Sequence, residues 1–454
     1  MRKYQQLALL LISCFSVGVL MMYKSENNRL KYVLKYVNFF GRNDAAVLRR
    51  IQNSTTAEDE ERQSKWVFTK PLPVWQVIGD SFYAYSAYWK QKELVVGGEA
   101  HVIVVGKKGA VVDFRCSFDV GGRSVQGKFR FQRDAAEGVV DDKASTFTNY
   151  NFFCQVSRNF GQPKYVSFSD ATSPIKRQVK LHLRHLKPAK TAAQATTATA
   201  AAAVPAGATL TEVPVRFPAT ICVDLVSFDV GSRFARNVDA MVQFFLFHQA
   251  LGVQHFLVYN YDELPEQVVR LLERTKMHLY SLPFNFPFLQ TNGTAARIRQ
   301  LLQTDCLLRN VNYASFTMLL TPNELVYPNA RFAGNLGKSS LQRQLRAYDS
   351  ETVRFELSTF AVCFDERKKL LIDNVHYDPE LRSKVLLYRL ELPAAQLLLP
   401  TAKGVELPLS SGFAHRYVEC QQVGADGLHD WRTGVREELM EHITQLRNEV
   451  DLLI

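Results

Sequence analysis

Residues 237–260 read NVDAMVQFFLFHQALGVQHFLVYN, and the fold turns on how that stretch is parsed. From Asn237 to Leu251, Met241, Phe244, Phe245 and His248 recur at helical spacing, and Gly252 follows as a glycine does just past a helix end. Gln254 to Tyr259 is then a continuous apolar run of strand length. Working outward, Thr220 to Val226 is a β-rich run upstream. Downstream, Pro265 to Thr275 is a helix with proline at its start and Val268, Val269, Leu271 and Leu272 on its buried face. Met277 to Ser281 is a third strand, Ala295 to Arg309 a further helix and Ala314 to Leu320 a further strand. Strands that alternate with helices over short connections predict a parallel, doubly wound α/β sheet, here within residues 213–454. Ligands of such sheets bind beyond the carboxyl ends of the strands. Those ends are Ser227-Phe228-Asp229, Asn260-Tyr261-Asp262, Pro283-Phe284-Asn285 and the residues after Leu320.

Residues 187–212 are rich in Ala and Thr with prolines at 188 and 205, and read as a linker. Before it, residues 65–186 carry period-two runs (His101 to Val105, Val111 to Phe118, Lys128 to Gln132, Lys164 to Phe168, Val179 to Leu186), with hairpin turns expected at Lys107-Lys108-Gly109 and Gly121-Gly122. These predict a small β-sandwich-like domain with Cys116 and Cys154 as its candidate bridge. Phe82, Tyr83, Tyr85, Tyr88 and Trp89 could line a sugar-binding face, but packing of the core is the preferred use. Residues 24–64 are charged and polar and read as a stem. Arg436 to Ile454 has helical spacing (Leu439, Ile443, Leu446, Val450) and is expected to pack on the preceding domain.

At the N-terminus Arg2 and Lys3 precede an uncharged apolar run from Leu7 to Tyr23 that ends at Lys24. Its length and the lack of a small-x-small cleavage site predict a retained transmembrane signal anchor over 7–23 with a cytoplasmic tail at 1–6. Both flanks are basic, so the positive-inside rule does not set the orientation; the short leading segment favours type II. Apart from Cys14 the cysteines number six (Cys116, Cys154, Cys222, Cys306, Cys363, Cys420), without CxxC spacing, which suits disulfides in an oxidising lumen; connectivity in the second half stays open. Asn53-Ser54-Thr55 and Asn292-Gly293-Thr294 would be glycan acceptors there. Hydrophobic residues at 47% and charged residues at 22% of 454 describe a chain of two or three folded units. The net charge of +11 is spread along the chain. With no Cys/His finger, basic helix or aromatic RNA-binding strand motif, nucleic acid is not an expected partner.

Several of these segments resemble glycosyltransferase family 92, a group of Golgi enzymes. The resemblance covers about residues 220–420: Ile221-Cys222-Val223, Phe247 to Phe256, Tyr259-Asn260, Asp305-Cys306-Leu307 and Asn323-Glu324-Leu325. It implies a GT-A-like domain that transfers a sugar, galactose in the best-known case, from a UDP-galactose-like nucleotide donor to a glycan or glycoprotein acceptor, in the Golgi lumen.

Where that family shows Asp-Leu-Asp-Glu, this sequence has Thr321-Pro322-Asn323-Glu324. Two carboxylates one residue apart can hold a Mn2+ or Mg2+ ion against the donor's diphosphate. Here Asn323 and Glu324, with His415 carried over from the family's His-Tyr-Arg run, are the candidate metal ligands. Glu324 is the candidate catalytic carboxylate, and Thr321, Asn323, Asn260 and Arg416 are candidate donor-binding residues. Fewer anionic ligands hold a hard cation more weakly, which leaves a weakened metal site, a metal-independent transferase using basic side chains, or an inactive relative. His415 is as readily a satisfied core histidine, and Asp305 as readily structural as catalytic. The competing function is a non-catalytic protein of the same fold that binds glycans or nucleotide, or escorts an active transferase. A hydrolase is disfavoured, since no nucleophile elbow or HExxH is present.

Overall fold

The computed structural model describes most of residues 66–432. Residues 1–65, 134–144, 187–216, 329–347, 391–403, 420–428 and nearly all of 433–454 lie outside the described residues, with some shorter stretches. The expected tail, anchor, stem and linker, the sequon asparagines Asn53 and Asn292 and Cys420 fall there, as does the C-terminal helix except for Thr444 and Asn448, which are helical. No helix among the described residues is long and apolar enough to cross a membrane.

Strand β1 (Trp66–Phe68) is followed by β2 (Gln76–Gly79), β3 (Phe82–Gln91), β4 (Gly98–Lys107), β5 (Phe114–Val120), β6 (Arg123–Arg133), β7 (Phe147–Val156), β8 (Tyr165–Asp170) and β9 (Val179–Leu186). The last eight pair in the order β2-β3-β4-β7-β6-β5-β8-β9. Strand β9 then returns to lie parallel to β3, with Ala87 opposite Leu183 and Lys90 opposite Leu186. The sheet therefore closes into a seven-stranded barrel, which corrects the expected sandwich. Alternation along a strand says which face is buried and nothing about whether the edges meet, so the two architectures share one sequence pattern. Phe82, Trp89, Phe114, Phe118, Phe152 and Phe168 fill the interior. Cys116 and Cys154 are disulfide-bonded within it, and a Cβ at Gly127 would lie 2.3 Å from the Cys154 sulfur. Gly121 and Gly122, at φ 56° and 82°, form the β5–β6 turn as expected.

The second sheet contains β10 (Phe217–Asp224), β11 (His255–Tyr259), β12 (His278–Leu282), β13 (Ala314–Leu320), β14 (Glu324–Pro328), β15 (Arg354–Phe364), β16 (His376–Arg389), β17 (Gly404–Glu406), β18 (Gly412–Glu419) and β19 (His429–Asp430). Strand β1 joins its edge, parallel to β12, and the run β1-β12-β11-β10-β13 is parallel throughout. The helices are α1 (Arg233–Arg236), α2 (Val238–Ala250), α3 (Glu266–Leu272) and α4 (Ala295–Asn310). The side-chain oxygen of Asn237 accepts from Ala240 N and caps α2, and Gly252 follows at φ 86°. Ile221, Val223, Phe256 and Val258 face α2 and α3, whereas Cys222, Leu257 and Tyr259 face α4.

Beyond β13 the architecture departs from the α/β expectation. Strand β16 pairs antiparallel with both β13 and β15, and the sheet continues through β18 to β14. It curls into a half-barrel, and strand outweighs helix by 52% to 20%. A GT-A-like doubly wound sheet is thus overturned in favour of a mainly β protein. The apolar runs after residue 350 lack the helical periodicity of a doubly wound sheet: β15 and β16 pair antiparallel, and β17 and β18 lie parallel to β15.

One face of α4 packs on β10 and β11 and the other on the barrel. Tyr85, Tyr88, Ile103 and Phe147 share a core with Cys222, Leu257, Leu302 and Cys306. Of the aromatic cluster, Phe82 and Trp89 thus fill the barrel while Tyr85 and Tyr88 fill this junction. Cys222 and Cys306 are disulfide-bonded across 84 residues, tying β10 to α4. Replacing both by alanine is expected to cost about 2–4 kcal/mol through loop entropy regained by the unfolded chain. Urea denaturation of parent and variant under oxidising conditions reads this, and equal midpoints would refute it.

Candidate functional site

Two strand ends and one helix meet at the carboxyl edge of the parallel strands. Strand β10 ends on Asp224, whose side chain is wholly buried. Its Oδ1 accepts from Val226 N at 3.0 Å and Ser227 N at 2.9 Å, and its Oδ2 accepts from the Ser227 hydroxyl. Burial raises its pKa, with Arg299 and the Ser227 bonds opposing. Strand β13 gives way to the turn Thr321–Asn323, and β14 starts at Glu324.

Glu324 is also wholly buried and fully engaged. Its Oε1 accepts from Arg416 Nε at 3.0 Å and Nη2 at 2.6 Å. Its Oε2 accepts from Arg299 Nη2 at 2.9 Å and from Thr321 N at 2.9 Å. Burial works against the charge, but Arg299 and Arg416 outweigh it and bring the pKa down to about 2. Arg299 reaches in from the start of α4, donating also to Leu319 O at 3.1 Å, with Nη1 3.8 Å from Asp224 Oδ2. The two arginine side chains keep 28% and 34% exposure, while the carboxylates between them have none.

Pairing of β14 with β18 sets Glu324 opposite Arg416 and Leu325 opposite His415. Adjacent strand residues face opposite ways, so the register that delivers Arg416 to Glu324 turns His415 away. His415 lies wholly buried among Tyr327 at 4.4 Å, Phe413 at 5.2 Å and Tyr417 at 6.0 Å between ring centroids, and burial lowers its pKa to about 3. Asn323 donates from Nδ2 to Tyr417 O at 2.8 Å and accepts from Tyr417 N at 2.8 Å, which fastens the turn to β18. Thr321 contributes the backbone N–H that holds Glu324. Asn260 follows β11 at φ 59°, a left-handed conformation that asparagine tolerates. It sits one strand over from Asp224, whose partner in register is Tyr259.

The expected metal set of Asn323, Glu324 and His415 is therefore not brought together, and no cluster of three His, Cys, Asp or Glu suited to a metal occurs among the described residues. Mn2+ or Mg2+ does not fit the residues present. A divalent ion takes oxygen ligands at roughly 2.0–2.6 Å, yet both Glu324 oxygens already accept from two guanidiniums and an amide. Asp305 belongs elsewhere, at the barrel junction. Cys363 is disulfide-bonded. Sequence reading missed Asp224 and Arg299. The signal for Asp224 was a lone acid closing an apolar strand; nothing in the sequence separates Arg299 from Arg297.

Residues 220–380 match the model of glycosyltransferase family 92. The match contains Asp224, Arg299 and the Thr321–Glu324 turn and ends before Arg416. The matched segment is similar to that family and lies in the second sheet's part of the chain, with the barrel outside the match. No curated protein matches the chain. Among solved structures, 4-diphosphocytidyl-2C-methyl-D-erythritol synthase from Anaerococcus prevotii DSM 20548 aligns over 96% of its own length and 51% of this chain, at 9% identity and a TM-score of 0.24, too low to argue a shared fold.

Proposed function

We propose that the protein is a glycosyltransferase that moves a sugar, galactose first among the choices, from a nucleotide diphosphate donor to a glycan or glycoprotein acceptor in the Golgi lumen. The observation that carries this is the Arg299–Glu324–Arg416 cluster at the carboxyl edge of the parallel strands, inside and beside the family 92 segment. In the reaction the anomeric carbon's bond to the diphosphate oxygen breaks and one to the acceptor oxygen forms. The diphosphate leaves with the electron pair and the acceptor proton passes to a base or to water. Guanidiniums fixed at the place where leaving-group charge develops lower that barrier. The disulfides Cys116–Cys154 and Cys222–Cys306 suit an oxidising lumen.

The test uses the purified full-length chain with a panel of nucleotide sugars and an array of glycan acceptors. One donor should raise the melting temperature and support transfer, and Arg416→Ala should reduce transfer about 100-fold. If no nucleotide sugar stabilises the chain, the reading falls. A second reading, a non-catalytic binder, is favoured by neutral Thr321 and Asn323 where the family shows aspartates. It predicts stabilisation by a donor with no transfer to any acceptor.

A further inference from the structure

We infer that the site grips its diphosphate directly with Arg299 and Arg416, without a divalent cation, and that Glu324 is the positioning residue that aims the two guanidiniums. The inference rests on the transferase reading and says how that site holds its donor.

Three observations carry it. The first is the donor set. The turn that would present carboxylates to a cation offers Thr321 and Asn323, and the Asn323 amide is fastened to the backbone of Tyr417. The single carboxylate beside them has no approach left, because Oε1 carries two bonds from Arg416 and Oε2 one each from Arg299 and Thr321. A cation at Glu324 would displace a guanidinium or sit against one, and like charges at that distance repel.

The second is the sidedness of the charges. Both carboxylates are at 0% side-chain exposure, and both arginine side chains keep some, 28% and 34%. Arg416 spends Nε and Nη2 on Glu324, which leaves Nη1 for a further acceptor. Arg299 spends Nη2 on Glu324 and Leu319 O, and its Nη1 stands 3.8 Å from Asp224, beyond a hydrogen bond. Two forked donors with spare N–H groups, on partly exposed side chains that share one carboxylate, suit paired phosphate oxygens.

The third is the counting of charge. Glu324 offsets one guanidinium. Asp224, 3.8 Å from Arg299 Nη1, stands against the other at longer range, so the two arginines and two carboxylates balance without a cation. Glu324 stays ionised through the physiological range and keeps both arginines in place.

Isothermal titration on the full-length chain, with UDP, GDP, ADP and CDP and their monophosphates as probes, tests this. One diphosphate should bind, its monophosphate about tenfold more weakly or worse. Its affinity should be the same in excess chelator as with added Mn2+. Arg299→Lys and Arg416→Lys keep the charge but lose the fork, and each should weaken diphosphate binding about tenfold. Glu324→Gln should also weaken binding, and a linked rise in the salt dependence separates freed guanidiniums from a fold defect. Binding that appears only with Mn2+ or Mg2+ overturns the inference and leaves the transferase reading standing. Binding of no diphosphate in either condition overturns both. If a lysine variant fails to fold, the chelator comparison on the unaltered chain decides alone.

Discussion

Asp305→Ala is expected to cost about 3–5 kcal/mol, enough to remove much of the stability of an ordinary domain. The carboxylate is fully buried where α4 is pinned between barrel and sheet. Its Oδ1 accepts from Ser86 Oγ at 2.6 Å, Tyr88 OH at 2.5 Å and Arg309 Nη2 at 2.8 Å. Its Oδ2 accepts from Tyr259 OH at 2.6 Å and Arg309 Nε at 2.9 Å. Burial opposes ionisation, but Arg309 and these bonds prevail and hold the pKa below the usual carboxylate range. Alanine would strip the counter-charge from a guanidinium at 3% exposure and take an acceptor from three hydroxyls, each a cost that water cannot make good there. Replacing Asp305 and Arg309 together by leucines should be milder than Asp305→Ala, because no charge is then left behind. Urea unfolding of the three proteins reads the ranking. An Asp305→Ala midpoint equal to the parent's would refute the account.

This junction also shows how far sequence reading reaches. The alternation of α2, β11, α3 and β12 was legible because buried helices and strands differ in period and their ends carry Asn237, Gly252 and Pro265 as punctuation. Strand β13 was legible for its unbroken apolar run. Long-range pairing was not: that β9 closes on β3, that β1 leaves the barrel segment for the second sheet, and that β16 inserts antiparallel between β13 and β15 are set by partners far along the chain. The same holds at the candidate site. Glu324 and Arg416 could be singled out from the turn and from its resemblance, but the place of His415 depended on a strand register, and a shift of one residue decides which side chain meets Glu324. Arg299 became visible only once α4 was laid across the strand ends.

Acidification is expected to unfold the protein well above the range in which carboxylates titrate. Burial lowers the pKa of His101, His248 and His255 to about 4 and of His415 to about 3. At His248 the hydrogen bonds say why: Nδ1 donates to Phe244 O at 2.8 Å, so Nε2 is left to accept from Val326 N at 3.4 Å, and a second ring proton would face a donor. A folded pKa below the unfolded value of about 6.5 means that the unfolded chain takes up protons first, so stability is full above that pH and falls as pH drops toward 4. Each imidazole contributes a slope of about 1.4 kcal/mol per pH unit in that window, so the four together remove several kcal/mol by about pH 5. Glu324 and Asp305, with depressed pKa values, add their losses only below about pH 4.3. Asp224, with a raised one, acts in the opposite sense. Urea midpoints measured from about pH 7.5 down to 5 should fall steadily. His415→Phe, which puts a ring without a titrating nitrogen among Tyr327, Phe413 and Tyr417, should flatten the slope by about 1.4 kcal/mol per pH unit. A midpoint that holds level across that range would mean that these imidazoles are not kept neutral by the fold. A slope that His415→Phe leaves unchanged would show that this ring takes no part in it.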